Sequence, residues 1–559
     1  MRKRGALSMR FLGVNAVFHD PAAALVVDGE IVAAAEEERF SRRKHGKEPV
    51  PFSAWELPEQ AMRWCLRFAG ITPEELDGVA YSYDPSLVHP GQQGLDPSWE
   101  RLRTLYAERA PRFLASALPG LDPARVRHIP HHVAHAASAG LAAPTRGGRA
   151  DCAVFVADGR GEAASHLAGV YRDGELTVLA RQSLPDSLGL MYEDLTQHLG
   201  FRRSSDEYKV MALASYGTPR FEPELRRLVH HTGDGRVRVG PIDWDSLVKR
   251  RRSGDECTAD HADLAASVQR RLEDVLVELT RWLRWESGQP RLAMAGGVAL
   301  NCVANTRIAA ESGFDDVWVQ PAAGDAGTAL GGALHLAQQA GDRIIPMDGA
   351  DLGRGWSDDE LAAALDTAAL PYEQPDDLAE TVAAALARNE LVAWFQGRSE
   401  YGPRALGRRS LLANPTDSAN LERLNDVKGR EQFRPVAPIV LAERAAEVFS
   451  RGPLPSPYML FVHDVAPQWR ERIPAVVHAD GTARVQTVAV AGDPLLARLL
   501  YRFEAQTGVP VLVNTSLNTA GRPMVDDPRD ALECFGSAPI DLLALGPFVV
   551  RRRDVHGRR

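Results

Sequence analysis

Four times in its first 330 residues the chain passes through a Gly/Asp turn set against an apolar, strand-like stretch, and this recurrence limits the fold more than any other feature. Gly13-Val14-Asn15 leads to His19-Asp20. Asp158-Gly159-Arg160-Gly161-Glu162 follows AVFVA, and Gly296-Gly297 runs on to Asn301 after RLAM. Gly324-Asp325-Ala326-Gly327-Thr328 lies between a strand and a helix. Glycine lets backbone N–H groups approach phosphate oxygens, and a helix starting just beyond adds a favourable dipole. One such loop is an ordinary strand-helix turn; four in one half of a chain point to a nucleotide cleft. Asp158, Gly159, Gly296, Gly297, Asn301 and Asp325 are its candidate binding residues, while Gly331 and Gly332 read as close helix packing.

Around these loops strands and helices alternate. Apolar runs at Phe11 to Ala16 and Ala22 to Val27, an Asp28-Gly29 turn and Glu30 to Ala35 predict a hairpin. An amphipathic stretch near 54 to 70, a strand near 78 to 83, a helix near 97 to 117 and a strand at Val126 to Ile129 follow. Next come a helix opening at Pro130 and the strand Cys152 to Ala157. Strands at Arg291 to Ala295 and Val317 to Gln320 then alternate with helices over 302 to 312 and 326 to 340. This is the pattern of an α/β domain with a helix-covered sheet. At 559 residues the chain exceeds what one core supports. Pro, Gly and Asp concentrate between 341 and 375, so the expected domains are 1–350 and 351–559. The second is expected to be α+β: a helix over 378 to 389, then strands at Leu391 to Phe395, Tyr458 to Val462, Val485 to Val490 and Val509 to Val513.

Charge narrows the partners. A net charge of −9 gives no overall field for nucleic acid or anionic membrane. No stretch reaches the roughly 18 apolar residues of a membrane helix, and the N-terminus runs into a strand without a signal-peptide pattern. Five scattered cysteines without a CxxC pair argue for a reducing compartment, so a cytoplasmic location is expected, with Met9 as an alternative start.

His131 and His135 stand four apart in HHVAHAASAG, which places both on one helix face. That spacing suits a chelating pair for a divalent transition metal, and equally two histidines satisfied by hydrogen bonds. Asp158 and Asp325, at loop tips after strands, are the oxygen ligands that would complete a metal site; His132 points elsewhere.

In the second half, three polar runs lack helical periodicity: Gln396 to Ser410, Lys428 to Pro435 and Asn514 to Asn518. Glycines flanking arginines suggest loops that hold guanidinium groups for phosphate or carboxylate oxygens; the alternative is a solvated face.

Taken together, the motifs resemble those of the carbamoyltransferases of nodulation-factor and antibiotic biosynthesis. The matching words are His19-Asp20-Pro21-Ala22-Ala23, Glu36-Glu37-Glu38-Arg39-Phe40, Lys44-His45-Gly46, the His131/His135 pair, Asp158 to Glu162, Lys209 to Gly217 and Gly296 to Asn301. They continue with Tyr401 to Gly407, Phe433-Arg434-Pro435 and Asn514 to Asn518, in order over nearly the whole chain. The resemblance implies an N-terminal domain like the catalytic subunit of the tRNA threonylcarbamoyl transferases, a duplicated actin/sugar-kinase-like fold. It implies a C-terminal YrdC-like α/β domain that forms carbamoyl adenylate from carbamoyl phosphate and ATP with Mg2+. Fe2+, or another divalent metal, on residues matching His131, His135, Asp158 and Asp325 would hold the adenylate for attack by a small-molecule hydroxyl. Arg404, Lys428, Arg434 and Ser516 then fall to carbamoyl phosphate, with Asn514 beside them, and His19 to the role of base. Lys44 and Lys209 fall to phosphate contacts.

The tRNA-modifying relatives carry a glutamate between the two histidines, whereas His132, Val133 and Ala134 stand here, which argues against a tRNA substrate. A threonylcarbamoyl-adenylate enzyme, an idle nucleotide-binding scaffold and a small-molecule kinase are the competing readings. A homodimer is the assembly common among such enzymes.

Overall fold

The computed structural model describes residues 8–46, 57–89, 91, 97–145 and 150–556. They fall into two compact units, Met1–Asp348 and Gly349–Arg559. The start of the amphipathic stretch expected near 54 lies outside the described residues; the helix occupies Glu59–Ala69.

In the first unit Arg10–Asn15 (β1), Ala22–Val27 (β2) and Glu30–Glu36 (β3) form an antiparallel meander. Asp28 and Gly29, at φ 52° and 77°, make the β2–β3 turn, the conformation a two-residue hairpin of type I′ requires. Gly78–Tyr81 (β4) pairs parallel with β1, and Val126–His128 (β5) parallel with β4. The arrangement then repeats. Cys152–Ala157 (β6), Ala164–Arg172 (β7) and Glu175–Ser183 (β8) form a second meander. Arg291–Ala295 (β9) joins β6 in parallel and Asp316–Val319 (β10) joins β9. The sheets read 3-2-1-4-5 and 8-7-6-9-10, one topology used twice, as expected of a duplicated actin/sugar-kinase-like domain. β6 and β9 are buried at every position, which is why they read as unbroken apolar runs.

Three helices of this unit bear on the site: His131–Gly140 (α1), Ala259–Ser287 (α2) and Ala326–Gln339 (α3). α3, which closes the second half, packs on β1 and β2 of the first; α1, which closes the first half, packs on β6 and β9 of the second. The two helices touch because Gly331 has no side chain: a Cβ there would overlap the Ala134 carbonyl oxygen and crowd the Ser138 N–H. This crossing carries α1's histidines to the ends of the second sheet's strands.

The second unit holds a seven-stranded mixed sheet. Its strands are Val392–Phe395 (β11), Arg409–Ala413 (β12), Ala437–Leu441 (β13), Gln486–Val488 (β14), Val511–Ser516 (β15), Leu542–Leu545 (β16) and Phe548–Arg551 (β17). Their order is 14-13-15-12-11-16-17. The strand expected at Tyr458 to Val462 lies instead at Val462–Val465, in a small separate sheet. The polar run Gln396 to Ser410 is not all loop: Arg409 opens β12 and is fully buried. Its guanidinium donates to the carbonyls of Gln396, Arg354 and Gly397 and covers the Phe395 ring at 3.7 Å, so it serves as scaffold.

Candidate metal centre

α1 starts at His131 behind Pro130, whose side chain makes no capping bond. The orphan amide of His131 is met by Glu162 Oε1 at 2.8 Å, and the same oxygen accepts the Asp84 N–H at 2.8 Å. Glu162 is 4% exposed. Its carboxylate therefore ties the helix start to the Asp158–Glu162 loop and to the chain after β4, a role the sequence did not reveal. Glu162→Ala would leave two backbone donors unmatched, that of His131 buried and that of Asp84 partly so, and a loss of about 2 to 4 kcal/mol is expected. A urea titration checks it.

His131 Nδ1 donates to the Ser82 carbonyl at 3.2 Å, which leaves Nε2 as the ligating nitrogen, the outer-contact pattern of metal-binding histidines. That Nε2 stands 3.2 Å from Asp158 Oδ2 and 3.5 Å from Asp325 Oδ1; His135 Nε2 stands 3.5 Å from each. The four donor atoms lie within 4.8 Å of one another. β6 delivers Asp158, fixed by the Gly297 N–H on Oδ1 at 3.2 Å, and α3 delivers Asp325 from its N-cap position. Phe18 meets the His131 ring edge-on at 5.3 Å and is itself covered by the Arg103 guanidinium at 4.5 Å.

The donors fit a cation. His135 Nε2 is buried with no hydrogen-bond partner among the described residues, a costly state that ligation would relieve. Two imidazoles and two carboxylates suit a first-row divalent metal. Burial disfavours charge on His131, yet Asp158 and Asp325 outweigh it and hold that imidazole well above its usual range. Burial likewise opposes charge on Asp158, but His131 and His135 hold it well below the carboxylate range. The site thus attracts positive charge. His132 is the opposite case: burial, then the neighbouring His131, push it well down, and it stays neutral and structural.

A second cluster joins the loop after β1 to the turn Lys44–Gly46. His19 Nδ1 is 2.9 Å from Asp20 Oδ2, and His45 Nδ1 is 2.8 Å from Asp20 Oδ1. These three side chains also have ligand atoms close enough to hold a cation. Burial would lower the His19 pKa, but Asp20, foremost, and then Asp325 and Glu207 push it up to about 10. This push disfavours the role of base expected of His19 and favours, at neutral pH, a protonated imidazole that donates.

Other expected binding residues are placed differently. Asn301 is the N-cap of the helix Cys302–Glu311 and exchanges hydrogen bonds with Gln269, so its amide is committed to structure rather than to a nucleotide. Lys209 pairs with Asp206 at 3.1 Å, which neutralises it. Lys44 is half-buried on the short turn Lys44–Gly46, next to His45. Gly159 lies against Glu193, and Gly296, at φ 93°, lies against the Ala157 backbone, where a Cβ would collide.

In the second unit Lys428 Nζ donates to the Ser516 carbonyl and hydroxyl, the latter at 2.9 Å, and to Asn518 Oδ1. Asn514 sits within β15 rather than beyond it. It donates to the Ala405 carbonyl and Gln486, and its buried Oδ1 has no partner among the described residues. Arg434 forms an ion pair with Glu431 at 3.7 Å. Arg404 lies on the loop that Glu400 organises: buried Oε1 accepts the amides of Leu406, Arg408 and Arg409.

Known proteins share much of this chain. The family description "Carbamoyltransferase N-terminus" matches residues 10–121 and 115–334, and "Carbamoyltransferase C-terminus" matches residues 383–552. The protein sll1178 of Synechocystis sp. is 36% identical, with 97% of this chain and 96% of that one covered. Nodulation protein NolNO of Sinorhizobium fredii is 36% identical over 96% of this chain and 80% of its own length. Full-length HypF in its phosphate- and nucleotide-bound form aligns over 60% of this chain and 56% of that one, at 14% identity and TM-score 0.38.

Proposed function

The chain belongs to the carbamoyltransferase family, and from that premise we propose that it is an ATP-dependent O-carbamoyltransferase working in two steps. In the first, the domain 351–559 converts carbamoyl phosphate and ATP with Mg2+, one water being consumed, to carbamoyl adenylate, phosphate and pyrophosphate. In the second, the domain 1–350 passes the carbamoyl group to a hydroxyl of a small molecule and frees AMP. The observation that carries this reading is the closure of His131, His135, Asp158 and Asp325 around one point beside the strand-end loops.

Each residue's part comes from its chemistry. The Lys428 ammonium, clamped by Ser516 and Asn518, offers a fixed positive charge to an anionic substrate, with Arg404 and Arg434 supplying guanidinium forks. In the first unit the Gly159 amide lies on a loop suited to phosphate oxygens, whereas the amides of Gly296 and Gly297 donate to the Ala323 carbonyl and to Asp158 Oδ1. His131, His135, Asp158 and Asp325 would hold a divalent metal, iron in this reading, which when bound supplies Lewis acidity for the carbamoyl oxygen. His19, protonated by its contact with Asp20, donates a hydrogen bond to the phosphoryl group that departs with AMP. The net charge of −9 speaks for a small acceptor over a tRNA. Among the described residues no helix is long and apolar enough to cross a membrane.

The test is incubation with ATP and carbamoyl phosphate, with carbamoyl adenylate sought by mass spectrometry, pyrophosphate by coupled assay, and metal by elemental analysis. Release of ADP in place of pyrophosphate would overturn the reading in favour of a kinase. Lys428→Ala is expected to lower pyrophosphate release by on the order of 10²-fold, since a charged contact to the substrate disappears. Its thermal unfolding curve shows whether the fold is retained.

A further inference from the structure

We propose that Asp20 is a positioning residue, fixing the orientation and the Nδ1–H form of the His19 imidazole as the middle member of a hydrogen-bonded chain that runs from Ser205 through His45. Ser205 Oγ lies 3.2 Å from His45 Nε2, His45 Nδ1 lies 2.8 Å from Asp20 Oδ1, and Asp20 Oδ2 lies 2.9 Å from His19 Nδ1. Because each imidazole uses Nδ1 on a different carboxylate oxygen, both rings are held, 4.4 Å apart. His19 Nε2 makes no hydrogen bond among the described residues, so the chain ends on a nitrogen left for substrate.

The backbone gives independent support. Phe18 and Asp20, on either side of His19, have φ of 60° and 46°, and His45 has φ 60°. Non-glycine residues seldom take this left-handed form, and it persists where surrounding contacts impose it. Those contacts are present. Asn15 Nδ2 donates to the carbonyls of His19 and Asp20 at 2.7 and 3.0 Å, and the His45 amide donates to Glu38 Oε2 at 2.7 Å. Asp20 and His45 come from the first half of the duplicated unit; Ser205 comes from the second, two residues before the helix Glu207–Ala214. The chain therefore joins the two halves at the loop that carries His19.

The groups that face His19 are the carboxylates of Asp20, Asp325 and Glu207 and the imidazole of His45. Asp20 dominates the upward push on the His19 pKa, to about 10. In Asp20→Asn the His19 ring loses the oxygen that holds Nδ1, and its Nε2 is no longer aimed.

This inference rests on the proposed transfer reaction only for its kinetic arm. In the full-length, metal-loaded chain with 15N-labelled histidine, the His19 ring signals are assigned by their loss in His19→Gln and read at neutral pH. An Nδ1–H proton held against exchange with water in the wild type, and exchanging freely in Asp20→Asn, supports the proposal. A proton that exchanges freely in the wild type, or that is held equally in Asp20→Asn, overturns it. The second arm follows AMP release from carbamoyl adenylate, formed in place from ATP and carbamoyl phosphate, with water as the acceptor. Asp20→Asn and His45→Gln are each expected to slow it about tenfold or more. Should Asp20→Asn not fold, His45→Gln and the wild-type proton exchange decide; unaltered release in His45→Gln overturns the chain. Absence of carbamoyl adenylate altogether would count against the proposed function and leave the ring-proton result standing.

Discussion

His131→Ala is expected to abolish carbamoyl transfer, by on the order of 10³-fold or more, while pyrophosphate release continues at the wild-type rate. His131 presents Nε2 to the site because its other nitrogen is committed to the Ser82 carbonyl, and its position is set by Glu162 at the helix start. Truncation removes one of four donors and leaves Asp158 and Asp325 facing His135 alone. Metal retention should collapse with activity, so elemental analysis of the purified variant belongs beside the kinetics. Adenylate formation is assigned to the other domain and has no use for this imidazole. An equal loss of both steps would contradict the division of labour.

Gly331→Ala should destabilise the first unit by about 3 kcal/mol, against the gain of about 1 kcal/mol that the same exchange gives an exposed helix. The added Cβ would overlap the Ala134 carbonyl oxygen, which is backbone and has no rotamer by which to retreat. α1 and α3 must then move apart. Asp325 opens α3 while His131 and His135 ride on α1, so a separation of these helices widens the gap between the imidazoles and one carboxylate. Lowered metal content together with an earlier unfolding transition in urea is the expected pair of results; unchanged stability would mean that the helix contact is looser than described. Gly332→Ala is the milder comparison, since its Cβ would press only on the Ala80 methyl group at 2.8 Å.

Much of this is legible in the sequence where local rules act alone. The Asp28-Gly29 hairpin comes from two residues tolerant of positive φ between apolar runs, and β6 and β9 from unbroken apolar stretches. The i, i+4 histidines announce one helix face. By contrast β7 leaves no such mark because Ser165, His166 and Gly169 interrupt its apolar run, and β8 and the 29-residue α2 leave none because their partly exposed faces dilute it. The arginine-rich run reads as loop, yet Arg409 begins a central strand and is buried over an aromatic ring, which composition cannot convey.

The candidate site divides the same way. Sequence by itself determined the residue types, the paired spacing of His131 and His135, and the strand-end loops that present Asp158 and Asp325. It also set the alternation of strands and helices that makes a twice-used sheet topology attainable. Only the tertiary structure decided that Glu162 caps the histidine helix, that Asn301 and Lys209 have structural partners, and that Asp20 sets a carboxylate oxygen on His19 Nδ1. The reason is physical. Spacing along the chain governs which side chains share a face, whereas protonation and ligation depend on charges and dipoles within a few ångströms, brought there by segments as remote as His45 and Ser205.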